Sequence, residues 1–221
     1  MTKALLFEIG TEEIPARFAA RALADVRKIV VDGLKNARLG HDEPKLFGTP
    51  RRITLFFAEV AERSEDVVEE VKGPPVRVAF DADGNPKVPA EKFAAKVGKP
   101  IDQIDRVSTD KGEYLVAQVE TPGKPAAELL PEILRKALNI SFPTSMRWGD
   151  VERTFARPLQ WIAALHGEEV IPLAYGDVAS GRQTRGHRFM APEPIELANA
   201  DQYLEKLEAA HVLPDPIRRR E

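Results

Sequence analysis

Cysteine is missing from all 221 residues. Its absence excludes disulfides and thiolate metal sites and fits a reducing compartment, so a cytoplasmic location is expected. Long apolar runs are missing too: the opening MTKALLFEIGTEEIP is broken by Glu8, so neither a signal peptide nor a membrane span is expected. The phosphate-loop pattern G-x-x-x-x-G-K-[ST], the dinucleotide fingerprint G-x-G-x-x-G, the zinc motif H-E-x-x-H and the hydrolase elbow G-x-S-x-G do not occur. No bound cofactor and no catalytic residue follow from the motifs. His41, His166, His187 and His211 are scattered, without sulfur ligands or a carboxylate cluster, and predict no metal site. With a net charge of -3 and a pI near 5.9, no global positive field draws in nucleic acid. Any such binding must come from a local patch.

Lysine is absent between Lys136 and Lys206, and that gap holds the chain's strongest candidate for a patch. From Phe142 to Phe189 every fixed positive charge is arginine, whose planar fork suits bidentate contact with phosphate or carboxylate better than a mobile ammonium does. Arg147, Arg153 and Arg157 precede an apolar run. Arg182, Arg185 and Arg188 surround Gly181 and Gly186 in a stretch without acids, where glycines let backbone approach an anion or a neighbouring chain closely. The competing reading pairs these arginines with the chain's own Asp and Glu.

The pattern predicts an α+β fold with mixed and antiparallel sheets, packed helices and two to three small modules. Residues 1–72 read as a β-α-β module: a strand Leu5 to Ile9, a turn at Gly10-Thr11, and a helix opening at Pro15. That helix shows an apolar face of Phe18, Ala22, Val26, Ile29, Val30, Gly33 and Ala37, a stop at Gly40, and then a strand Ile53 to Val60. The acidic run Glu59 to Glu70 and Gly73-Pro74-Pro75 suggest a boundary. Residues 73–140 then form a small mixed module. It has a strand Val76 to Phe80, a turn over Asp81 to Pro86, a helix around Phe93 to Val97 and a strand Tyr114 to Val119. Its last helix, Pro125 to Leu138, is either kinked or started by Pro131. Residues 141–221 form an Arg-rich module with a hairpin, Leu159 to Leu165 and Val170 to Tyr175, continuing into a helix at Tyr203, Leu204 and Leu207 and ending on Ile217 to Glu221 as a piece of something longer.

Several residues carry two readings. Glu12 and Glu13 resemble an acid and base pair, yet their place before the helix favours capping. Arg51 and Arg52 either bind phosphate or act as solubilising gatekeepers of an edge strand. Trp161 sits in an apolar run and reads as core, whereas Trp148, beside Arg147, reads as a surface or interface residue. His187 beside Arg185 and Arg188 would serve an enzyme acting on an anion only if a nucleophile or carboxylate accompanied it, and none does.

Glu8-Ile9-Gly10-Thr11-Glu12-Glu13-Ile14-Pro15, Thr49-Pro50-Arg51-Arg52, Gly73-Pro74, Lys111-Gly112-Glu113-Tyr114-Leu115, Phe142-Pro143-Thr144-Ser145-Met146-Arg147-Trp148-Gly149, Arg157-Pro158 and Thr184-Arg185-Gly186-His187-Arg188-Phe189 together resemble the bacterial glycyl-tRNA synthetase β subunit, in order along the whole chain. Thr144 stands where that family frequently has lysine. The resemblance implies a cytoplasmic heterotetramer of two α and two β subunits. In it the α subunit activates glycine with ATP, and the β subunit binds tRNA(Gly) and supports assembly through an HD-like and an anticodon-binding domain further along. The chain itself is then non-catalytic and binds no cofactor. Its candidates for contact with tRNA or the α subunit are Arg51, Arg52, Arg147, Trp148, Arg153, Arg157, Arg182, Arg185, His187 and Arg188. The alternative is a scaffold that only positions RNA-binding domains elsewhere.

Overall fold

The computed structural model describes residues 1–221 apart from 82, 83, 111, 149–151 and 221. Ala82 and Asp83 of the expected turn, Lys111 and Gly149 of the family-like motifs, and Glu221 therefore lie outside the described residues. The opening apolar run forms β1, Thr2–Thr11, a ten-residue strand buried on both faces. It passes straight through the turn expected at Gly10-Thr11. Helix α1, Ala16–Asn36, follows, burying Phe18, Ala22, Val26, Val30, Val31 and Leu34 at the helical repeat. It stops before Gly40, because Arg38 takes the left-handed conformation (φ 55°) that closes a helix. Neither Glu12 nor Glu13 caps it: Pro15 is the N-cap, no side chain bonds there, and the first turn holds no acid. The chain returns through β2, Lys45–Thr49, and β3, Arg52–Ala61. Since β3 pairs antiparallel with both β1 and β2, β1-α1-β2 is a split β-α-β unit with β3 inserted between its parallel strands.

Residues Glu65–Gly123 form a separate compact unit. It contains β4, Val67–Pro75; α2, Val76–Ala79; α3, Val88–Val97; β5, Asp105–Thr109; and β6, Gly112–Thr121, in an antiparallel sheet of order β4-β6-β5. The acidic stretch expected as a linker is thus partly strand. Gly73, Pro74 and Pro75 end an edge strand, where a missing N–H costs no ladder bond, and Gly73 packs under the Phe93 ring. Val76 to Phe80, expected as a strand, begins instead with one helical turn after Pro75. The unit has its own core, including Ala90, Phe93, Leu115 and Ala117.

Met1–Ser64 and Lys124–Glu221 make up the other unit. Its second part contains α4, Ala126–Ala137; β7, Leu159–His166; β8, Glu169–Val170; β9, Ala174–Tyr175; β10, Val178–Gly181; β11, Gln183–Arg185; β12, Pro194–Glu196; and α5, Tyr203–Ala209. The main sheet runs β2-β3-β1-β7-β10-β9, with β8 on β7. It is antiparallel except between β7 and β10. The expected hairpin is short: Leu165 and His166 pair with Val170 and Glu169, and β9 pairs with β10 instead. Pro131 lies inside α4 rather than at its start. Helices α1 and α4 cover one sheet face, burying Leu5, Phe7 and Ile9. The α5 region covers the other, burying Leu6, Ala163, Leu165, Tyr203 and Leu207. The α+β class with mixed and antiparallel sheets holds. The division into units differs from three consecutive modules, because the chain leaves the first unit after Ser64 and rejoins it at Lys124.

Candidate functional site

Strand register decides which side chains meet. Along β1 the side chains at Ala4, Leu6 and Glu8 alternate toward the α5 face. Pairing sets Glu8 between Thr54 and Ala163, and Gly10 between Arg52 and Trp161. A side chain at position 10 would fall inside the Trp161 ring, so glycine is needed here for close approach and not for a turn. Arg52 is 3% exposed and Glu8 fully buried, with Nη1 and Oε1 3.2 Å apart. Arg52 Nη2 donates to the Arg185 carbonyl at 2.6 Å, tying β3 to the strand that carries the arginine and glycine motif. The Arg52 and Arg185 guanidinium groups lie 5.6 and 5.3 Å from the Trp161 ring centre, within cation–π range. Below them Thr54 and Tyr203 share a hydroxyl hydrogen bond of 2.9 Å. Burial, reinforced by the Glu8 charge, raises the Tyr203 hydroxyl far above the usual phenol range and keeps it neutral.

Past Arg185 the chain turns tightly over α5. Gly186 is pressed so closely on Ala210 and Ala191 that an added Cβ would lie 2.7 and 3.0 Å from theirs. Here Thr49, Pro50 and Arg51 meet Gly186, His187, Arg188 and Phe189, with Glu13, His211 and Leu213, around a cleft of about 460 Å³. Three sequence-distant segments converge on it. Arg52 is part of its lining, and Arg51 Nε is buried without a hydrogen-bond partner among the described residues. Glu13 is the one acid among the lining residues, and two arginines hold it. Arg188 lies 3.4 Å from its carboxylate, and Arg157 Nε donates to its carbonyl at 3.2 Å. His187 Nδ1 accepts from the Phe189 and Met190 amides at 3.3 and 3.2 Å, an arrangement that requires that nitrogen to be unprotonated.

The other candidates lie apart from the cleft lining. Arg182 spends its guanidinium on the carbonyls of Leu197, Ala198 and Glu168, at 3.3, 3.2 and 3.0 Å. It borders a second cleft with Trp161, Asp177 and Glu196. Arg147 is exposed, and Arg153 reaches over the Tyr175 ring at 5.9 Å. Burial raises the Tyr175 hydroxyl above the usual phenol range, against the pull of Arg153. Trp148, expected at a surface or interface, is half-buried, stacking on Tyr175 at 6.4 Å and packing against the main core. Phe142 and Phe155 pack edge to face beside it, and this aromatic cluster draws the indole inward. Trp161 is core, as expected. No group of acidic and histidine side chains able to hold a metal occurs among the described residues, and no described helix is long and apolar enough to cross a membrane.

Read from the sequence alone, Glu8, Glu13 and His211 carry other readings and no place beside these arginines. Glu8 shares its alternation with Gly10, which hinted at a polar face inside the apolar strand, whereas nothing local marks Glu13 or His211 as neighbours of Arg188.

The family model described as glycyl-tRNA synthetase beta subunit matches residues 5–221. The chain is 49% identical to the glycine–tRNA ligase beta subunit of Myxococcus xanthus over 221 residues, covering 100% of this chain and 31% of that protein. It is 46% identical to the Desulfatibacillum aliphaticivorans beta subunit over 218 residues, covering 98% of this chain and 32% of that protein. The Geobacter sulfurreducens beta subunit is 45% identical over 222 residues, with 100% and 32% covered. The chain thus spans about a third of the length of these curated relatives.

Proposed function

The chain belongs to the glycyl-tRNA synthetase beta subunit family, and on that premise we propose that it is the amino-terminal part of the β subunit of a cytoplasmic, heterotetrameric glycine–tRNA ligase. Its role there is to help bind tRNA(Gly) and hold the assembly. ATP and glycine react on the α subunit, and no residue of this chain is catalytic. The observation that carries the RNA reading is the convergence of Thr49-Pro50-Arg51-Arg52 with Gly186-His187-Arg188-Phe189 at a cleft where Arg51 and Arg188 stand against the single acid Glu13. Arg51, Arg185 and Arg188 contact phosphate. Arg52 and Arg182 fix the backbone on which they stand. Arg147 and Arg153 form a separate cationic surface, which falls to the α subunit or to a more distant part of the RNA.

The scaffold reading draws on a different observation, the commitment of Arg182 to three carbonyls and of Arg52 to Glu8. Binding of tRNA(Gly) across a salt series separates the two. Each phosphate contact contributes roughly one log unit of affinity per log unit of salt. Arg51→Ala and Arg188→Ala should each flatten the slope by about one while leaving the melting temperature near wild type, and Arg182→Ala should lower the melting temperature. A folded wild-type chain that binds no tRNA would leave the scaffold.

A further inference from the structure

The segment 186–193 joining β11 to β12 places Phe189 and Met190 side by side in solvent, 76% and 62% exposed. Isolated exposed apolar side chains need no explanation, but this ring is held out by a turn with little freedom to fold it away. His187 N donates to the Ala210 carbonyl at 2.9 Å and Ala191 N to the His187 carbonyl at 2.8 Å. The His187 imidazole binds the Phe189 and Met190 amides. Gly186 seals the base of the turn against Ala210 and Ala191. The Arg188 guanidinium sits 4.7 Å from the Phe189 ring centre and is itself held by Glu13. A cation thus covers part of the ring, and the rest faces water above the basic cleft.

A rigid aromatic ring beside a cationic cleft matches the two halves of a nucleotide: the base stacks and the phosphate is paired. Base pairs inside a duplex are covered on both faces, so only an unpaired nucleotide can use such a ring. We propose that Phe189 is a stacking platform for an unpaired RNA base, with the adjoining phosphate held in the cleft by Arg51, His187, Arg188 and His211. This rests on the reading of the cleft as an RNA surface and adds that the RNA reaching it is single-stranded. Charge favours RNA over an apolar protein partner, since Arg51 and Arg188 face Glu13 alone across the cleft lining, Arg52 being balanced by Glu8.

The test uses the 221-residue chain with a fluorescein-labelled single-stranded 12-mer RNA and a 12-base-pair RNA duplex at fixed salt, folding being checked by circular dichroism. Phe189→Ala should weaken binding of the single strand about tenfold, as expected for one lost stacked base, with the salt slope and duplex binding unchanged. Phe189→Trp should keep the affinity, and its added indole fluorescence should be quenched as RNA is titrated in. Arg51→Ala reports on the cleft separately through its salt slope. If Phe189→Ala binds like wild type while Arg51→Ala is impaired, stacking is overturned and the cleft reading stands. If the folded wild type binds neither RNA, both are overturned. If Phe189→Ala weakens the single strand and the duplex equally, the ring does not select an unpaired base and the stacking proposal fails.

Discussion

Glu8 carries a charge into the interior of a strand that is otherwise apolar, and only Arg52 balances it. Both carboxylate oxygens and two of the three guanidinium nitrogens lack hydrogen bonds among the described residues, so attraction at 3.2 Å offsets desolvation without the added bonds that make a buried pair strongly stabilising. Removing one member should therefore be far worse than removing both. Glu8→Leu is expected to cost about 3–5 kcal/mol, because it strands a buried guanidinium, whereas Glu8→Leu with Arg52→Met should recover most of that loss in urea unfolding. A double variant as unstable as the single one would mean that the Arg52 bond to the Arg185 carbonyl, and not the charge, is the larger contribution. The pair was hidden in the sequence because its members are far apart along the chain and meet only through the β1–β3 register. Trp161 was legible as core from its apolar neighbours. Trp148 showed only half of its setting, because Arg147 beside it marks the solvent side while the inner side meets Tyr175, which packs on Phe155, itself packed on Phe142.

Elements with a strong period were legible, and those whose identity depends on a neighbour were not. Helix α1 declared itself through a repeat of three and four residues, and β1 and β3 through apolar and β-branched runs. Strand β2, Lys45–Thr49, has a glycine and only two large apolar residues, and β4 looks like an acidic linker. Both become strands because a partner supplies the ladder. Gly33 shows the same dependence inside a helix. Replacing a helical glycine by alanine ordinarily stabilises by about 1 kcal/mol, but a Cβ here would lie 2.7 Å from Ile133 Cγ2 of α4. Overpacking of that kind costs about 1–3 kcal/mol. Gly33→Ala should thus be neutral to destabilising in a thermal melt. Adding Ile133→Ala, which removes both γ carbons that the new Cβ would meet, should bring the helical gain back when the double variant is compared with Ile133→Ala alone. Plain stabilisation by Gly33→Ala would show that Ile133 can swing clear.

The whole molecule is one fold interrupted by another, and nothing in residues 60–75 announces that the chain will come back. The chain changes unit inside the acidic run, after Ser64, whereas Gly73-Pro74-Pro75 lies within β4, and the proximity of Ser64 to Lys124 is a tertiary fact. Ser64 N donates to the Lys124 carbonyl at 2.9 Å and Lys124 N to Ser64 Oγ at 2.9 Å, and Ala126 N bonds to the Glu62 carbonyl at 2.8 Å. The exit and return strands are thus already zipped, and a short linker of about four Gly and Ser residues should close the gap at little entropic cost. Replacing residues 65–123 by such a linker is expected to leave the larger unit folded. Trp148 and Trp161 both belong to that unit, so their near-ultraviolet circular dichroism and fluorescence report on it alone. The excised segment holds 12 acidic and 8 basic residues, so its loss changes the formal charge from -3 to +1. RNA binding at the cleft should survive and tighten at low salt, with the difference fading as salt screens the lost negative charge. If the tryptophan signals survive and RNA binding disappears, the RNA surface lies on the inserted unit and the Arg51 and Arg188 cleft does not supply it.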